Sequence, residues 1–386
     1  MNDFDVMKKA CQLALKGRGR TSPNPMVGAV VVKGGKVIAE GYHRHCGGPH
    51  AEIVAMRKLS PEQLHGATLY VTLEPCFHHG RTPPCVEAII KSGIREVIVG
   101  MKDPNPLTHG KSLAKLKGAG IKVKTGVLQK ELATMNEAFT KYIKTKMPFV
   151  TAKTAQTLDG KIATATGQSQ WITSERSRKH ARRLRNDFDA IMVGVNTILK
   201  DNPGLNADRP AKRLKKIVLD SSLRTPFSAK IFTDTAPEDC LIAVTARVEE
   251  NKVRALQKKS VSVMVCPEKD GHVDLRWLMA ELARREIANI LIEGGAHVIG
   301  CALKDHLVDK MLIFIAPKII GDQAALSSVV GCQTLHVDHS MRLIDTMLCR
   351  LGEDILLEGH VVYPQDDGRR TTDDISAGVS YVHRDH

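Results

Sequence analysis

The sequence is poor in aromatic residues, in long apolar runs and in cysteine. Aromatic side chains make up 4% of the 386 residues, which argues against a platform for stacking single-stranded nucleic acid. No apolar run reaches the roughly 18 residues that a membrane helix needs. The chain also starts without a basic stretch before an apolar run, so we expect neither a membrane segment nor a signal peptide. Nine cysteines in a chain this long fit a reducing cytoplasm better than a secreted disulfide scaffold.

What is present is an ordinary globular composition with an uneven charge. The chain is 42% hydrophobic and 25% charged, and its length suggests two or three domains. Residues 1–146 carry 23 Lys and Arg against 11 Asp and Glu, a net +12, whereas residues 147–386 carry 33 against 31, a net +2. A basic half of this size indicates an anionic ligand, either nucleic acid or a phosphorylated small molecule. A solvated basic surface is an equally good interpretation.

Periodicity predicts two α/β domains and a tail. Residues 1–146 open with a helix over about 4–17 and continue in the order β-β-α-β-α-β-α-β, which favours a largely parallel sheet covered by helices. A second alternation of strands and helices begins at a strand over 149–155 and reaches a strand over 308–315 within a domain of residues 147–362. We expect the polar tail, residues 363–386, to be flexible and assign it no role.

The strongest chemical signal is a set of zinc-ligand residues in the first domain. His50 and Glu52 stand in a Pro-His-Ala-Glu sequence, and Cys76 and Cys85 each follow proline. One imidazole and two thiolates are typical of a catalytic zinc site whose fourth position is open to water. Glu52, two residues after His50, is placed to shuttle protons without binding the metal. This pattern is the signature of zinc deaminases that act on nucleobases.

The second half of the pattern departs from the common spacing. Eight residues separate Cys76 from Cys85, whereas two are usual. His78 and His79 lie in this loop as spare ligands, substrate contacts or surface groups. The alternative is a structural zinc ion that only stabilises the fold, but such sites usually have four protein ligands.

Four segments of the first domain resemble the deaminase half of the bifunctional deaminase/reductase family of riboflavin biosynthesis. They are Thr21–Gly28, Pro49–Glu52, Val71–Cys85 and Asp103–Pro106. The resemblance implies a cytidine-deaminase-like three-layer domain in which Asn24 and His43 line the pyrimidine pocket. From the residues alone, Asn24 reads as a turn residue between prolines and His43 as a surface histidine.

The second domain resembles the reductase half of the same family, so the resemblance covers about residues 1–360. The segments that carry it are Lys153–Gly160, Ser169–Ser174, Thr197–Pro203 and Ile292–Gly295. It implies a dihydrofolate-reductase-like α/β fold that uses NADPH. Independently, a predicted strand over 287–292 runs into Gly294 and Gly295 and a helix with Gly300. Such glycines let backbone amides approach a phosphate at a helix N-terminus, although a tight strand–helix turn explains them equally well.

The resemblance also implies the residues of the second site. It assigns to the dinucleotide Ala155, Trp171, Thr197, Asp201, Ser221, Gly295, Ala296, His297, Val298, Ile299, Gly300 and Cys301. We place at the substrate Lys153, Ser169, Arg185, Leu205, Arg209 and Glu293. Arg209 enters by hypothesis, because Asp208 stands where the family commonly has the arginine that binds the substrate phosphate. Lys153 and Glu293 are both candidates for the proton donor.

The sequence therefore predicts two successive reactions on a phosphorylated pyrimidine. Zinc-dependent hydrolytic deamination of a diaminopyrimidinone ribosyl phosphate precedes reduction of the ribosyl group by NADPH. We expect a cytoplasmic homo-oligomer that binds no nucleic acid and no membrane. The alternatives are a zinc deaminase with a degenerate reductase domain, a deaminase of bases in RNA, and a zinc-stabilised protein without activity.

Overall fold

The computed structural model describes residues 2–77, 84–209, 213–234 and 236–364. It divides into two compact units, one of residues 1–148 with 283–288, the other of residues 149–282 and 289 onward. His78 and His79 lie outside the described residues, as does all of the predicted tail beyond residue 364. In the part of the chain that is described, no helix is long and apolar enough to cross a membrane.

The first unit is built on a five-stranded sheet in the order β2-β1-β3-β4-β5. Its strands are β1 (Gly28–Lys33), β2 (Lys36–Tyr42), β3 (Thr68–Leu73), β4 (Glu96–Met101) and β5 (Lys122–Thr125). Its helices are α1 (Asp3–Leu15), α2 (Ala51–Met56), α3 (Pro61–Leu64), α4 (Cys85–Lys91), α5 (Lys111–Gly118), α6 (Gln129–Met135) and α7 (Glu137–Thr145).

The predicted element order of the first unit is confirmed, and so is the tight hairpin that the sequence of Lys33–Lys36 predicts, whereas the sheet is parallel in its last three strands only. β3, β4 and β5 are parallel, because helices cross over between them. β1 is antiparallel to both β2 and β3, since the glycine-rich turn after Lys33 returns the chain directly.

Burial on both faces of β1 explains the three layers. Val31 packs with Ala51, Ala55 and Val86 on one face of the sheet, and Val30 packs with Met7 and other apolar side chains on the opposite face. Gly28 permits the close approach of α1, because a Cβ there would lie 2.0 Å from the carbonyl oxygen of Ala10. The first turns of α2 and α4 are thereby held against one face of a rigid sheet.

The second unit contains a nine-stranded sheet in the order β11-β10-β9-β8-β14-β6-β15-β18-β17. The strands of this unit are β6 (Phe149–Thr157), β7 (Lys161–Ala163), β8 (Ala190–Gly194), β9 (Lys215–Leu219), β10 (Cys240–Val244), β11 (Ser262–Val265), β12 (Glu268–Lys269), β13 (His272–Val273), β14 (Asn289–Glu293), β15 (Lys310–Ala316), β16 (Leu326–Ser327), β17 (Arg342–Leu351) and β18 (Asp354–Val362). The remaining helices are α8 (Glu175–Leu184), α9 (Val195–Asp201), α10 (Lys230–Thr233), α11 (Glu250–Gln257), α12 (Leu275–Arg284) and α13 (Ala296–Lys304).

The large sheet is parallel from β11 through β15 and ends in the antiparallel strands β18 and β17. The carboxyl ends of its parallel strands therefore meet at one edge, where ligands bind in open α/β sheets. Helices α9 and α11 and the β17–β18 hairpin were not predicted from periodicity. Most side chains of β17 are partly or fully exposed, so the strand lacks the apolar alternation of a half-buried strand.

Candidate active sites

Three predicted zinc ligands converge in the first unit. His50 is the N-cap of α2, Cys85 is the first residue of α4, and Cys76 follows the end of β3. The Nδ1 atom of His50 lies 3.1 Å from Sγ of Cys85 and 3.5 Å from Sγ of Cys76. Tetrahedral zinc, with Zn–S near 2.3 Å and Zn–N near 2.05 Å, places such atoms about 3.6 Å apart. The donor set and its spacing therefore fit zinc.

The two thiols respond differently to their surroundings. The backbone amide of Cys85 donates to Sγ of Cys76 across 3.2 Å. A hydrogen bond from the Cys85 thiol, together with His50, lowers the pKa of Cys76. The same hydrogen bond and burial raise the pKa of Cys85. One thiolate is thus stabilised before a metal arrives, and a dication would favour the second.

Glu52 is buried beside this cluster in the first turn of α2. Burial raises the pKa of its carboxyl group, and the neighbouring His50 opposes the shift. Its Oε2 atom is buried without a hydrogen-bond partner. A buried oxygen left unpaired costs free energy, so the position is typical of a group kept for a ligand or a proton.

Asn24 and His43 lie together next to the cluster. The His43 ring is 5.6 Å from the His50 ring, nearly perpendicular to it, and only 2% of His43 is exposed. Burial lowers the pKa of His43, so the ring is neutral near pH 7. Its Nδ1 donates to the carbonyl of Pro49 at 3.1 Å. Nε2 is then left to accept from the Asn24 amide at 3.4 Å. The interpretation of His43 as a surface histidine is therefore wrong.

Glu74, which sequence reasoning did not single out, braces the end of β3. Its buried carboxylate accepts hydrogen bonds from the Ser112 hydroxyl at 2.7 Å and from the amides of Gly110 at 3.0 Å and Asp103 at 3.2 Å. Only Pro75 separates it from Cys76. The carboxylate thus ties the chain that carries a zinc ligand to the loop over 103–110.

The second unit contains a cleft of about 1,610 Å³. Residues at the carboxyl ends of β8, β9 and β14 line it, including Gly194, Leu219 and Glu293. A volume this large exceeds the range of about 300–1,000 Å³ usual for one small ligand, so it fits a dinucleotide together with a second molecule.

Almost every residue predicted for the second site lines this cleft. The lining includes Lys153, Ala155, Ser169, Trp171, Arg185, Thr197, Asp201, Leu205, Ser221, Glu293, Gly295, Ala296, His297, Val298, Ile299 and Cys301. Sequence reasoning missed further cations on its walls, namely Arg178, Lys200, Arg224 and Arg247. Arg182, which the sequence offers either as a sugar-phosphate ligand or as part of a solvated helix face, also lines the cleft.

Gly300 and Arg209 lie elsewhere. A Cβ at Gly300 would sit 1.7 Å from the carbonyl oxygen of Val330, so this glycine allows close backbone packing and does not face the cleft. Arg209 is exposed, as is Asp208, and its backbone amide donates to Asn186 at 2.9 Å. Gly294 and Gly295 line the cleft and have left-handed φ angles, which agrees both with an approach to phosphate and with a tight strand–helix turn.

An ion-pair cluster stands at the carboxyl end of β14. Arg185 binds Glu293 through two hydrogen bonds of 2.8 and 3.0 Å, and Lys153, on the adjacent strand β6, lies 3.4 Å from the same carboxylate. Burial alone would raise the pKa of Glu293, but the two cations lower it to about 2. Glu293 is therefore a carboxylate at every physiological pH.

Helix α8 supplies several cleft residues, and Asp354 fixes its start. Ser174 is the N-cap of α8. The Asp354 carboxylate accepts from the Ser174 amide at 2.8 Å, from the Ser174 hydroxyl at 2.7 Å and from the Ser177 hydroxyl at 2.5 Å. The hairpin of β17 and β18 thus orients the helix that presents Arg178 and Arg182.

Two family models match the two units. The cytidine and deoxycytidylate deaminase zinc-binding region matches residues 1–101, and the RibD C-terminal domain matches residues 148–357. The first match supports zinc in the deaminase unit, and the second indicates a nicotinamide cofactor in the other.

Relatives match over nearly the whole chain. The riboflavin biosynthesis protein RibD of Actinobacillus pleuropneumoniae is 43% identical over 365 residues, 94% of this chain and 96% of that protein. The structure of Acinetobacter baumannii RibD superposes with a TM-score of 0.81 at 34% identity, covering 93% of this chain and 99% of that one. A Thermotoga maritima deaminase/reductase gives a TM-score of 0.78 at 36% identity, with 93% and 98% covered.

Fold and sites together define a zinc-binding deaminase unit joined to a reductase unit in one chain. The chain belongs to the RibD family and is a bifunctional deaminase and reductase of riboflavin biosynthesis. The family and fold expected from the sequence motifs are confirmed.

Proposed function

We propose that the first unit deaminates 2,5-diamino-6-ribosylamino-4(3H)-pyrimidinone 5′-phosphate and that the second reduces the product to 5-amino-6-ribitylamino-uracil 5′-phosphate. The observation that carries the proposal is the convergence of His50, Cys76 and Cys85 beside the unpaired carboxyl oxygen of Glu52. The Thermotoga maritima relative is described as acting on a diaminohydroxyphosphoribosylaminopyrimidine and a phosphoribosylaminouracil, which supports the same substrates here.

In the first unit, the three ligands would hold zinc, which supplies Lewis acidity that makes water a nucleophile near neutral pH. Glu52 takes one proton from the attacking water and delivers it to a ring nitrogen; it then takes the second proton from the added hydroxyl and delivers it to the amine, which leaves as ammonia when the C–N bond breaks. Water adds its oxygen at the carbon that loses ammonia, so the atoms balance. Asn24 and the neutral His43 bind and orient the pyrimidine.

In the second unit, we propose that the cofactor is NADPH, which supplies a hydride to C1′ of the ribosylamino group. The cations Lys200, Arg224 and Arg247 along the cleft fit a dinucleotide with a third phosphate. Arg185 and Leu205, which line the cleft, contact the substrate. Since Glu293 stays ionised, we assign the proton for the sugar oxygen to the Lys153 ammonium, which has three N–H donors.

The substrate phosphate in the second unit has two candidate partners. Arg182 lines the cleft and Arg209 does not. We therefore expect Arg182→Ala to raise the reductase KM for the phosphorylated substrate more than Arg209→Ala does. An unchanged KM in Arg209→Ala removes Arg209 from the site.

A paired assay on the zinc-loaded chain tests the whole proposal. Ammonia release and then oxidation of NADPH, with NADH as comparison, are followed on the diaminopyrimidinone ribosyl phosphate. Both signals are expected, and a chelator should abolish the first while sparing NADPH oxidation on supplied deaminated intermediate. Ammonia without NADPH oxidation contradicts the reductase assignment, and absence of ammonia contradicts the substrate.

We further propose a homo-oligomeric enzyme of a reducing compartment such as the cytoplasm. All nine cysteines are free thiols, as in proteins of reducing compartments. Closed symmetric association is the common state of soluble enzymes, and light scattering on the purified chain measures it.

A further inference from the structure

Lys216 is a lysine enclosed in the sheet of the second unit. It lies on β9, between β8 and β10, and is 1% exposed. Burial lowers its pKa to about 8, so it is mostly an ammonium at pH 7. A buried cation is retained where hydrogen bonds compensate its lost hydration, and its Nζ donates to Oδ1 of Asn206 at 2.8 Å.

Asn206 is held from two sides. Its side chain accepts from Lys216, and its backbone carbonyl accepts from Nη1 of Arg185 at 2.9 Å. The Nε and Nη2 atoms of the same guanidinium donate hydrogen bonds to the Glu293 carboxylate. Asn206 therefore links the buried lysine to the ion-pair cluster at the cleft.

The residue before Asn206 has a backbone conformation that needs such support. Leu205 lines the cleft with a φ of 53°, a left-handed value that costs free energy in a residue with a Cβ. The preceding Gly204 is also closely packed, because a Cβ there would lie 3.0 Å from Oδ2 of Asp234. The surrounding contacts must therefore hold this segment in place.

We propose that Lys216 is a positioning residue of the reductase site, whose ammonium fixes Asn206 and through it the wall that Leu205 and Arg185 present to the pyrimidine substrate. Neither Lys216 nor Asn206 lines the cleft, so the lysine acts through its neighbours. The inference rests on the proposed function, in which Leu205 and Arg185 contact that substrate.

Lys215 provides a matched control on the same strand. Its side chain is 45% exposed and pairs with Asp239 at 2.8 Å. Lys216→Met and Lys215→Met remove the same charge from adjacent residues and keep a long unbranched side chain. Only the first removes the hydrogen bond to Asn206.

The experiment measures the reductase of full-length, zinc-loaded protein on supplied deaminated intermediate. Lys216→Met should raise the KM for the intermediate about tenfold, the usual scale when a buried acceptor loses a charged donor. The KM for NADPH and the rate of ammonia release should stay within about twofold, as should all three values in Lys215→Met. A general loss of structure would raise both reductase KM values or lower kcat alone, and either result overturns the proposal.

Variants of Asn206 complete the test and replace Lys216→Met if that protein does not fold. Asn206→Leu should raise the KM for the intermediate similarly, and the double variant should be no worse than either single one, because both remove the same contact. Asn206→Asp keeps the acceptor oxygen and should stay near wild type. Additive effects overturn the proposal. A wild-type protein that cannot reduce the intermediate overturns the proposed function itself, and this inference with it.

Discussion

Glu52, which is 3% exposed, and Glu293, whose side chain is 12% exposed, lie in different units, and their surroundings act on their carboxyl groups in opposite directions. Glu52 has an unpaired oxygen and a raised pKa, whereas Glu293 is held by Arg185 and Lys153 and has a pKa of about 2. The unpaired oxygen of Glu52 is open to a proton. The Glu293 carboxylate, which is held by two cations, stays ionised and keeps its position at the cleft. Burial alone thus does not identify a catalytic acid, and the charged neighbours decide.

The largest effect is expected from Glu52→Gln. The amide keeps the shape of the side chain but cannot take or give a proton, so ammonia release should fall about 10³-fold, within the range for general acid–base catalysis. Zinc content and NADPH oxidation on supplied deaminated intermediate should be unchanged. Retention of a tenth of the ammonia-releasing activity would show that another group moves the proton.

Arg185→Met tests the opposite case, a carboxylate that depends on its partner. Removing Arg185 leaves Lys153 as the remaining cation beside the Glu293 carboxylate, which loses its two strongest hydrogen bonds, so the free energy of unfolding should fall by about 2–3 kcal/mol. Both tryptophans, Trp171 and Trp277, belong to the second unit, so their fluorescence during urea unfolding reports it selectively. Arg185→Met/Glu293→Leu should recover part of the loss. A loss below about 1 kcal/mol would equate the pair with a surface salt bridge.

The free energy of unfolding at acid pH (the acid limb of the stability curve) tests the same contrast between Glu52 and Glu293. The pKa of Glu293 is about 2 when folded, against an ordinary value of 4.5, so the unfolded chain binds more protons between these values and stability rises with pH there. The contribution is complete above pH 4.5 and is lost as the pH falls toward 2. It amounts to about 3 kcal/mol at most.

Glu293→Gln should remove this part of the pH dependence. Urea unfolding at several pH values measures it, again by tryptophan fluorescence. Glu250→Gln, which changes an exposed carboxylate on α11, is the control and should leave the acid limb nearly as in wild type. Identical acid limbs in wild type and Glu293→Gln would contradict the assignment.

The smallest effect is expected at an exposed contact of the same cleft. The Arg178 guanidinium lies 4.2 Å from the centre of the Trp171 ring, which is 61% exposed. Trp171→Leu should cost about 0.5–1 kcal/mol, measured by thermal unfolding of the second unit with Trp277 as the remaining fluorophore. A cost as large as that of Arg185→Met would mean that Trp171 is a core residue.

The first site was more predictable than the second because its geometry is local. His50 and Cys85 lie at the starts of two helices, and Cys76 follows a strand. The three side chains converge because both helices pack on the sheet to which that strand belongs. The hydrogen bond between Asn24 and His43 was not predictable, since it depends on the burial of a histidine just after an edge strand. The cleft draws on β6, α8, α9 and several loops, so the sequence motifs indicated its residues without their contacts.

Two residues predicted for the second site do not line the cleft. Gly300 packs against the backbone of Val330, and Arg209, a predicted substrate residue, is exposed. Whether Gly300 faces the cleft depends on Val330, which is distant in the sequence, and no local pattern encodes that contact. Lys216 shows the reverse, a charged residue within a strand pattern that gave no hint of a buried partner.

The bond between Asp354 and the start of α8 has a consequence for synthesis of the chain. Ser174 and Asp354 are 180 residues apart, so the ribosome must add 180 residues after Ser174 before α8 receives its anchor. Contacts of such long range close late and slow folding. Until the β17–β18 hairpin emerges from the ribosome, the reductase half stays incomplete, and truncation before residue 354 would yield a chain in which this helix lacks its anchor.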